Sequence, residues 1–576
     1  MTKQFMKNTI VILLLMILSF FSGKTVSTQN STNQPFNKSV KSITDLIPMD
    51  SSTVLILTEL QKNTAGFLKH PLSINFKKLK LTEELFYDEI FKPVIKMSAL
   101  FKKYSKMTFD MNLFFRLFGK EAAFYKANNS YTVITRLGAF AKPFKQALFL
   151  ISRYSKLKDK YASKTYKSVT IEKLSLKSNN IFYTFLGDIL IGSTEENNLI
   201  KIINHINGNR YNSISSKKGF NQSLMLSRHM KYPVILYENK RLAGSISHSK
   251  GEERLSHFFT ERFWKFSFSY SNMLVNYEYR YSPRALSNPL SNIKLKNKVN
   301  HNNIEANPSS SIAYISTNKI NTRFFYDWFY KSWLVNSQER SEFNNTFDQV
   351  QEKYAVDIRE MIQKDFDNEM RVIFGGLGYQ GLNPFPKLAF IIKIKKGSNP
   401  AQKMKAVFNY MFKSHHLKYQ QFGIVPIYYF ISNKKFGQRK LQNKNKNLSS
   451  QTDFSPSFTF TGKYLIISFN KDLISQLLQH YLYAKRQNTK ATHRLFWKNI
   501  TKPYDIIYFI DPADFSTEAK SYLAKLDLIY KKDFIISDTK KRLTPLLGLL
   551  RYVSGIGGGL NLGKDKLEGD IIFKLQ

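Results

Sequence analysis

The chain has no cysteine in 576 residues. That excludes disulfides, thiolate nucleophiles, cysteine-ligated metals and lipid attachment at a lipobox cysteine, so stability must come from burial. Acids are scarce: 42 Asp and Glu stand against 87 Lys and Arg, a formal charge of +45. Beyond residue 21 no window is apolar for long enough to read as a membrane-spanning helix. Also missing are G-x-S-x-G, a P-loop and H-E-x-x-H, the spacings that would announce acyl transfer, nucleotide or zinc chemistry.

What is present begins with Lys3 and Lys7, followed by the apolar stretch Thr9–Phe21. This stretch is shorter than the about 20 residues a spanning helix needs. Small residues and a tolerable cleavage box, Thr25-Val26-Ser27, come next. The layout predicts a secretory signal peptide over residues 1–28, with an uncleaved N-terminal anchor as the alternative. The expected address is therefore periplasmic or envelope-associated. Aliphatic and aromatic residues make up 43% of the chain, which predicts globular domains rather than disorder. Loss of Lys3, Lys7 and Lys24 with the signal leaves +42. Codon bias toward Lys and Asn accounts poorly for this excess, because Glu codons share the same bias. A surface so charged attracts polyanions over about 8 Å at physiological salt. Outside the cytoplasm these are lipid headgroups, lipopolysaccharide phosphates, teichoic acids and peptidoglycan carboxylates; nucleic acid is the disfavoured class.

Residues 183–206 return without a gap as residues 458–481, a shift of 275. Thr184/Thr459, Phe185/Phe460, Gly187/Gly462, Leu190/Leu465, Ile191/Ile466, Ser193/Ser468 and His205/His480 are identical. The quartets Leu199, Ile202, Ile203, Ile206 and Ile474, Leu477, Leu478, Tyr481 both run i, i+3, i+4, i+7, the spacing that buries one helix stripe. The unit reads as strand, glycine turn, strand and helix.

Flanking segments extend the match. In residues 42–283 we expect an opening strand after Pro48, then helices through Phe118 with Phe86, Ile90, Val94 and Met97 on one face. Gly119 should close that helical region. A strand pair (122–127, 131–136), a helix (140–154) and hairpin strands (169–176, 181–186) lead into the recurring unit. Strand 232–239 and an alternating pair (264–270, 274–281) follow it. In residues 303–576 the same order is predicted from Pro308, strands 312–317, 371–374 and 388–394, helix 400–412 and strand 504–510, with strands 557–562 and 567–575 closing the chain as a final pair. Tyr232 and Tyr504 lie at nearly equal distances from their turn glycines. Residues 284–302 read as a linker, and 434–457 as a mobile basic loop with too little apolar content to order itself. The fold class expected is α+β: two tandem related domains, each a mainly antiparallel sheet covered by helices. This order resembles the bacterial family catalogued as domain of unknown function 3352, whose members are secreted or envelope-associated. The resemblance implies an extracytoplasmic α+β protein and no catalytic residues.

Local candidates for chemistry each have a plainer structural account. Gly376–Gly381 fits G-x-G-x-x-G, but Pro384 and Pro386 follow where a dinucleotide site needs a helix; a turn or bulge is predicted. Gly555–Gly559 (GIGGG) is expected as a close-packed turn. His415-His416 has no carboxylate within four residues and reads as a polar helix end. His205 and His480 read as border residues of the helix stripe. Asp511 and Asp514 follow a strand, and Asp514 or Ser516 is expected to cap the next helix, with Glu518 at its positive end. No cofactor or metal is expected.

The segment 153–177 holds Arg153, Lys156, Lys158, Lys160, Lys164, Lys167, Lys173 and Lys177 interleaved with Tyr154, Tyr161 and Tyr166. Lys434, Lys435, Arg439, Lys440, Lys444 and Lys446 occupy the matching place in the second half. Together they form the candidate polyanion-binding surface. The expected function is a non-enzymatic, envelope-associated protein that binds anionic lipid or cell-wall polymer, with a membrane surface an admissible partner. A hydrolase acting on envelope polymers is the alternative, and nucleic-acid binding the second.

Overall fold

The computed structural model describes residues 40–77 except 41; 111–281 except 129, 155–160, 176–179, 209–211, 230–231 and 240–258; and 311–576 except 318–321, 329, 331–333, 335, 381–382, 413–414, 433–452, 484–494, 498–499, 501, 530–533 and 564. The signal segment, the linker and the predicted helical positions Phe86, Ile90, Val94 and Met97 lie outside the described residues. The chain divides into two compact units, residues 1–282 and 283–576.

Unit 1 opens with β1 (Thr53–Thr58), α1 (Leu60–Leu68), α2 (Pro71–Lys77), α3 (Met111–Phe118), β2 (Glu121–Ala127), β3 (Ser130–Arg136) and α4 (Ala141–Tyr154). It continues with β4 (Tyr161–Tyr166), β5 (Val169–Ser175), β6 (Asn180–Leu186), β7 (Ile189–Ser193), α5 (Glu196–Ile206), α6 (Lys218–His229), β8 (Val234–Asn239), β9 (Phe259–Phe268) and β10 (Asn272–Tyr281). All pairings are antiparallel, and the strands lie in the order β4-β5-β6-β7-β3-β2-β1-β8-β9-β10. Gly119 ends α3 as expected. Its N–H donates to Phe115 O at 2.8 Å, and a Cβ there would lie 2.3 Å from that oxygen.

Unit 2 comprises β11 (Ala313–Thr317), α7 (Thr322–Trp328), α8 (Ser337–Tyr354), α9 (Ile358–Lys364), β12 (Phe366–Gln380), β13 (Asn383–Ile394), α10 (Ala401–Met411), β14 (His415–Phe422) and β15 (Val425–Ser432). Then come β16 (Ser457–Phe460), β17 (Tyr464–Ser468), α11 (Lys471–Tyr483), β18 (Ile506–Ile510), α12 (Pro512–Ile529), α13 (Phe534–Leu549), β19 (Val553–Leu562) and β20 (Lys566–Leu575). Its order is β14-β15-β16-β17-β13-β12-β11-β18-β19-β20, again antiparallel throughout. Strand for strand this is the order of unit 1. The class is α+β.

Register matches as well as order. Tyr183 pairs with Gly192, and Phe458, 275 residues on, pairs with Ile467. Asn239 N–H donates to Ser52 O at 2.8 Å, and Asp511 N–H to Ile312 O at 2.8 Å. Leu137 to Asp188 and Ile394 to Lys463 repeat a second backbone bond, both 2.8 Å. The turn glycines Gly187 (φ +61°) and Gly462 (φ +79°) both occupy the left-handed region, where an L side chain is strained.

Alternation along each strand feeds two layers of helix. In unit 1, Val54, Ile56, Ile134, Ile191 and Ile235 face Leu199, Ile202 and Ile203 of α5 and Phe220 and Leu224 of α6. Leu55, Leu57, Val234 and Leu236 face the other way, toward Leu60 of α1 and Phe114 of α3. In unit 2, Ile373, Ile391, Ile427 and Ile466 meet Leu473, Ile474, Leu477 and Leu478 of α11. Phe430, Phe458 and Leu465 meet α8 to α10 through Val350, Met361, Met404 and Phe408. Each fully buried aliphatic side chain contributes about 1.5–3 kcal/mol.

Several local expectations are corrected. Gly555, Gly557 and Gly559 form no turn; the closing strand, expected from Gly557, begins at Val553 and takes in all three as β19. A Cβ on Gly557 would stand 2.7 Å from the Phe496 ring, and one on Gly559 would stand 2.1 Å from Tyr504. Register equates them with Phe263 and Lys265 of β9. Unit 1 thus fills this space from the strand itself, whereas unit 2 clears the strand so that rings lie across it. His415 and His416 begin β14, an edge strand, because the chain has already left α10 at Met411. Asp511 itself caps α12, its Oδ1 accepting from Ala513 N (3.0 Å) and Asp514 N (3.2 Å). Ser516 instead donates to Leu547 O, and Glu518 accepts from Leu377 N at 2.8 Å. That amide belongs to the register shift between Phe374 and Leu377, so Gly376 (φ +108°) sits in a bulge, as G-x-G-x-x-G predicted.

Candidate polyanion-binding surface

The basic segment 153–177 is no plain loop. It contains β4 and β5, a hairpin at the sheet edge closed by Lys167 and Ser168, both with positive φ (48° and 62°). Lys164 lies on β4 and its Nζ meets Glu196 Oε1 at 3.0 Å. Lys167 stands at the closed tip with its Nζ 5.8 Å from the centre of the Tyr166 ring. Arg153 falls in the last turn of α4. Its side chain, and Lys156, Lys158 and Lys160, lie outside the described residues, as do Lys434, Lys435, Arg439, Lys440, Lys444 and Lys446.

The attachment points of these segments are nonetheless defined. Tyr161 pairs with Leu174, so the chain enters β4 and leaves β5 at the same end. In unit 2, His415 pairs with Ser432, which puts entry to β14 and exit from β15 at one end too. Residues 155–160 and 433–452 therefore join equivalent ends of equivalent hairpins, while Lys167 marks the opposite end of its own. The end of the predicted mobile loop is corrected: Asp453 is fixed to β12 by two bonds with Tyr379, 2.9 and 3.0 Å. Beside it Phe454 packs on Phe385 and Phe469.

A minority of the acids are buried, each with hydrogen-bond donors of its own. Among the described residues, the buried charged side chains are Glu261, Glu278, Asp365, Asp505, Asp511 and Asp570, against only Lys265 and Arg371. Glu278 takes Arg280 at 2.8 Å, Lys265 at 3.5 Å and Ser223 at 3.1 Å. Glu261 pairs with Lys217 and accepts from Tyr237. Asp570 accepts from Lys502 (2.7 Å) and Tyr504 (2.8 Å). A carboxylate accepts several hydrogen bonds, so each can satisfy several donors at one buried point.

In one polar cluster Arg371, Tyr464 and Tyr481 have no polar counterpart in unit 1, although register equates its acid, Glu369, with Glu121. Arg371 lies in the core of unit 2, its guanidinium 2.7 Å from Glu369 Oε1 and 3.3 Å from the Tyr481 hydroxyl. Tyr464 donates to the same carboxylate at 3.2 Å. Register places Ala123, Ile189 and Ile206 at the corresponding positions of unit 1. Burial pushes the Tyr464 hydroxyl up to about 12, with Glu369 adding to it. Burial opposes the Arg371 charge, but Tyr481 and Glu369 outweigh it and its pKa is raised. Such a cluster stays protonated at Tyr464 and charged at Arg371, which suits a fixed structural role. No group of His, Asp and Glu that could hold a metal ion occurs among the described residues.

No protein-family profile matches the chain, and no curated protein matches it. Two crystal forms of TP0453 are similar at 10% identity: form I over 43% of this chain and form IV over 42%, each over 81% of its own. Their TM-scores are 0.25 and 0.24, and a likeness at that level carries no argument.

Proposed function

We propose that this is a non-enzymatic, envelope-associated protein that binds anionic material electrostatically. The observation that carries this reading is the large excess of bases that remain exposed. The chain has 87 Lys and Arg against 42 Asp and Glu, and only two of the bases among the described residues, Lys265 and Arg371, are buried, so the excess stays at the surface. Matched attachment of the two basic segments at equivalent hairpin ends supports the same reading, as does the signal-like N-terminus. The family resemblance, with its extracytoplasmic members, is consistent with it.

The test is cosedimentation of the protein with phosphatidylglycerol vesicles and with purified cell wall at low and high salt. Retention should fall steeply as salt rises, and should fall at low salt when Lys434, Lys435, Arg439, Lys440, Lys444 and Lys446 are replaced by Gln. Equal retention at both salt concentrations, or none at either, would overturn the proposal.

A further inference from the structure

The three most exposed large hydrophobic residues among the described residues are Ile424 (89%), Tyr419 (70%) and Met411 (64%). All three belong to one edge of unit 2. Met411 ends α10, Tyr419 lies on β14, and Ile424 with Gly423 (φ +59°) forms the two-residue tip of the β14–β15 hairpin. An isoleucine is a poor turn residue, and at this tip it has no packing to justify it. The equivalent tip in unit 1 carries Lys167 and Ser168 instead.

Charge marks the same edge. From Met370 to Ser432 there is no Asp or Glu, and Lys403, Lys405 and Lys418 of that stretch lie on α10 and β14. Lys418 is exposed on β14. Lys405 Nζ sits 4.3 Å from the centre of the Tyr428 ring, and Lys471 Nζ, 2.9 Å from Gln420, lies 4.7 Å from that of Tyr429. Acids meet this stretch from other elements: Asp365 holds Lys403 at 2.8 Å, Asp367 meets Lys393 at 3.4 Å, Asp453 lies 4.0 Å from Lys387, and Asp472 follows Lys471.

Resting on the polyanion-binding reading, we infer that the β14–β15 edge docks on an anionic phospholipid bilayer. Ile424 and Tyr419 would enter the headgroup region while the lysines meet phosphates. A hydrated cell-wall polymer offers an exposed isoleucine nothing, whereas the interface accepts aliphatic tips and amphipathic tyrosines. A second copy of the chain is disfavoured because two such edges would bring like charge together.

Because the chain has no cysteine, Ile424→Cys gives a unique labelling site, and Ser168→Cys, the equivalent tip in unit 1, its control. Each full-length variant carries an environment-sensitive dye and meets vesicles of phosphatidylcholine with or without phosphatidylglycerol, or dextran sulfate. A blue shift is expected at position 424 with anionic vesicles alone, and none at 168. Ile424→Asn with Tyr419→Ser should weaken vesicle partitioning at least fivefold with little change in melting temperature, since Ile424 is almost fully exposed and Tyr419, among the described residues, touches only the Tyr428 ring at 6.5 Å. An unshifted dye at 424 on protein that cosediments would overturn this inference and leave the broader reading standing. Loss of all cosedimentation would remove both. A shift that grows with protein concentration without vesicles would assign the edge to self-association and overturn the inference.

Discussion

Thr184 and Thr459 hold the same place in the two units. Each is fully buried, and each hydroxyl crosses to the neighbouring strand, Thr184 to Thr170 O at 2.7 Å and Thr459 to Pro426 O at 2.8 Å. Ser193 and Ser468 repeat this equivalence, their Oγ atoms accepting from the amides of Glu195 (3.2 Å) and Asn470 (3.0 Å).

Replacing either threonine by valine keeps the volume and removes the hydroxyl. Thr184→Val and Thr459→Val should each cost about 1–2 kcal/mol, measured by chemical denaturation. A near-zero effect at one site beside a large effect at the other would show that the two bonds are not equivalent.

The glycines of β19 make a sharper contrast. Gly557→Ala and Gly559→Ala drive a methyl into the Phe496 and Tyr504 rings and should each cost about 2–3 kcal/mol. Gly548→Ala in α13 meets nothing within 4 Å and should be neutral or stabilising by up to about 1 kcal/mol. Thermal melts of the three variants rank them; Gly557→Ala melting with the parent would refute the packing account.

Arg371 is held by Glu369 and Tyr481 in a place that unit 1 keeps apolar. Arg371→Leu leaves Glu369 with Lys393 at 3.8 Å and should cost roughly 3 kcal/mol. Adding Tyr464→Ile and Tyr481→Ile restores the unit 1 chemistry and should recover a large part of that loss. Additive losses in the triple variant would mean that the cluster and the apolar set are not interchangeable.

Alkaline stability should fall in a defined window. Burial pushes Tyr125 and Tyr464 up to about 12, above the ordinary tyrosine value near 10. Both stay protonated in the folded chain while the unfolded chain ionises, so their contribution is complete below about pH 10 and is lost by about pH 12. For Tyr125 that is about 2–3 kcal/mol. Denaturant midpoints measured from pH 9 to 12 should drop, and Tyr125→Phe should flatten part of the drop. An unchanged slope in that variant would count against burial as the cause.

Legibility followed the range of the interactions. The turn glycines, the α5 and α11 stripes and the Tyr232/Tyr504 correspondence depend on neighbours a few residues away, so period and spacing exposed them. β4 escaped notice because Tyr161–Tyr166 is mostly exposed polar residues whose strand state comes from pairing with β5. β14 was missed beside a histidine pair for the same reason, whereas β15, with buried Val425, Ile427 and Phe430, carries an apolar run that could have been read. The cap at Asp511 was misassigned by three to five residues, because Pro512 is a good first helical residue and starts α12 early. GIGGG read as a turn, since nothing local says that Phe496 and Tyr504 will lie across it.

The sequence alone determined the α+β class, the recurring strand–turn–strand–helix unit and a surplus of positive charge, because all three are written in composition and in short periods. Only the tertiary structure decided that the two strand orders coincide, that acids such as Glu278 and Asp570 are buried with their donors, and that Ile424 stands uncovered at a tip. Those outcomes depend on which distant side chains meet across a sheet, and no local pattern encodes such a meeting.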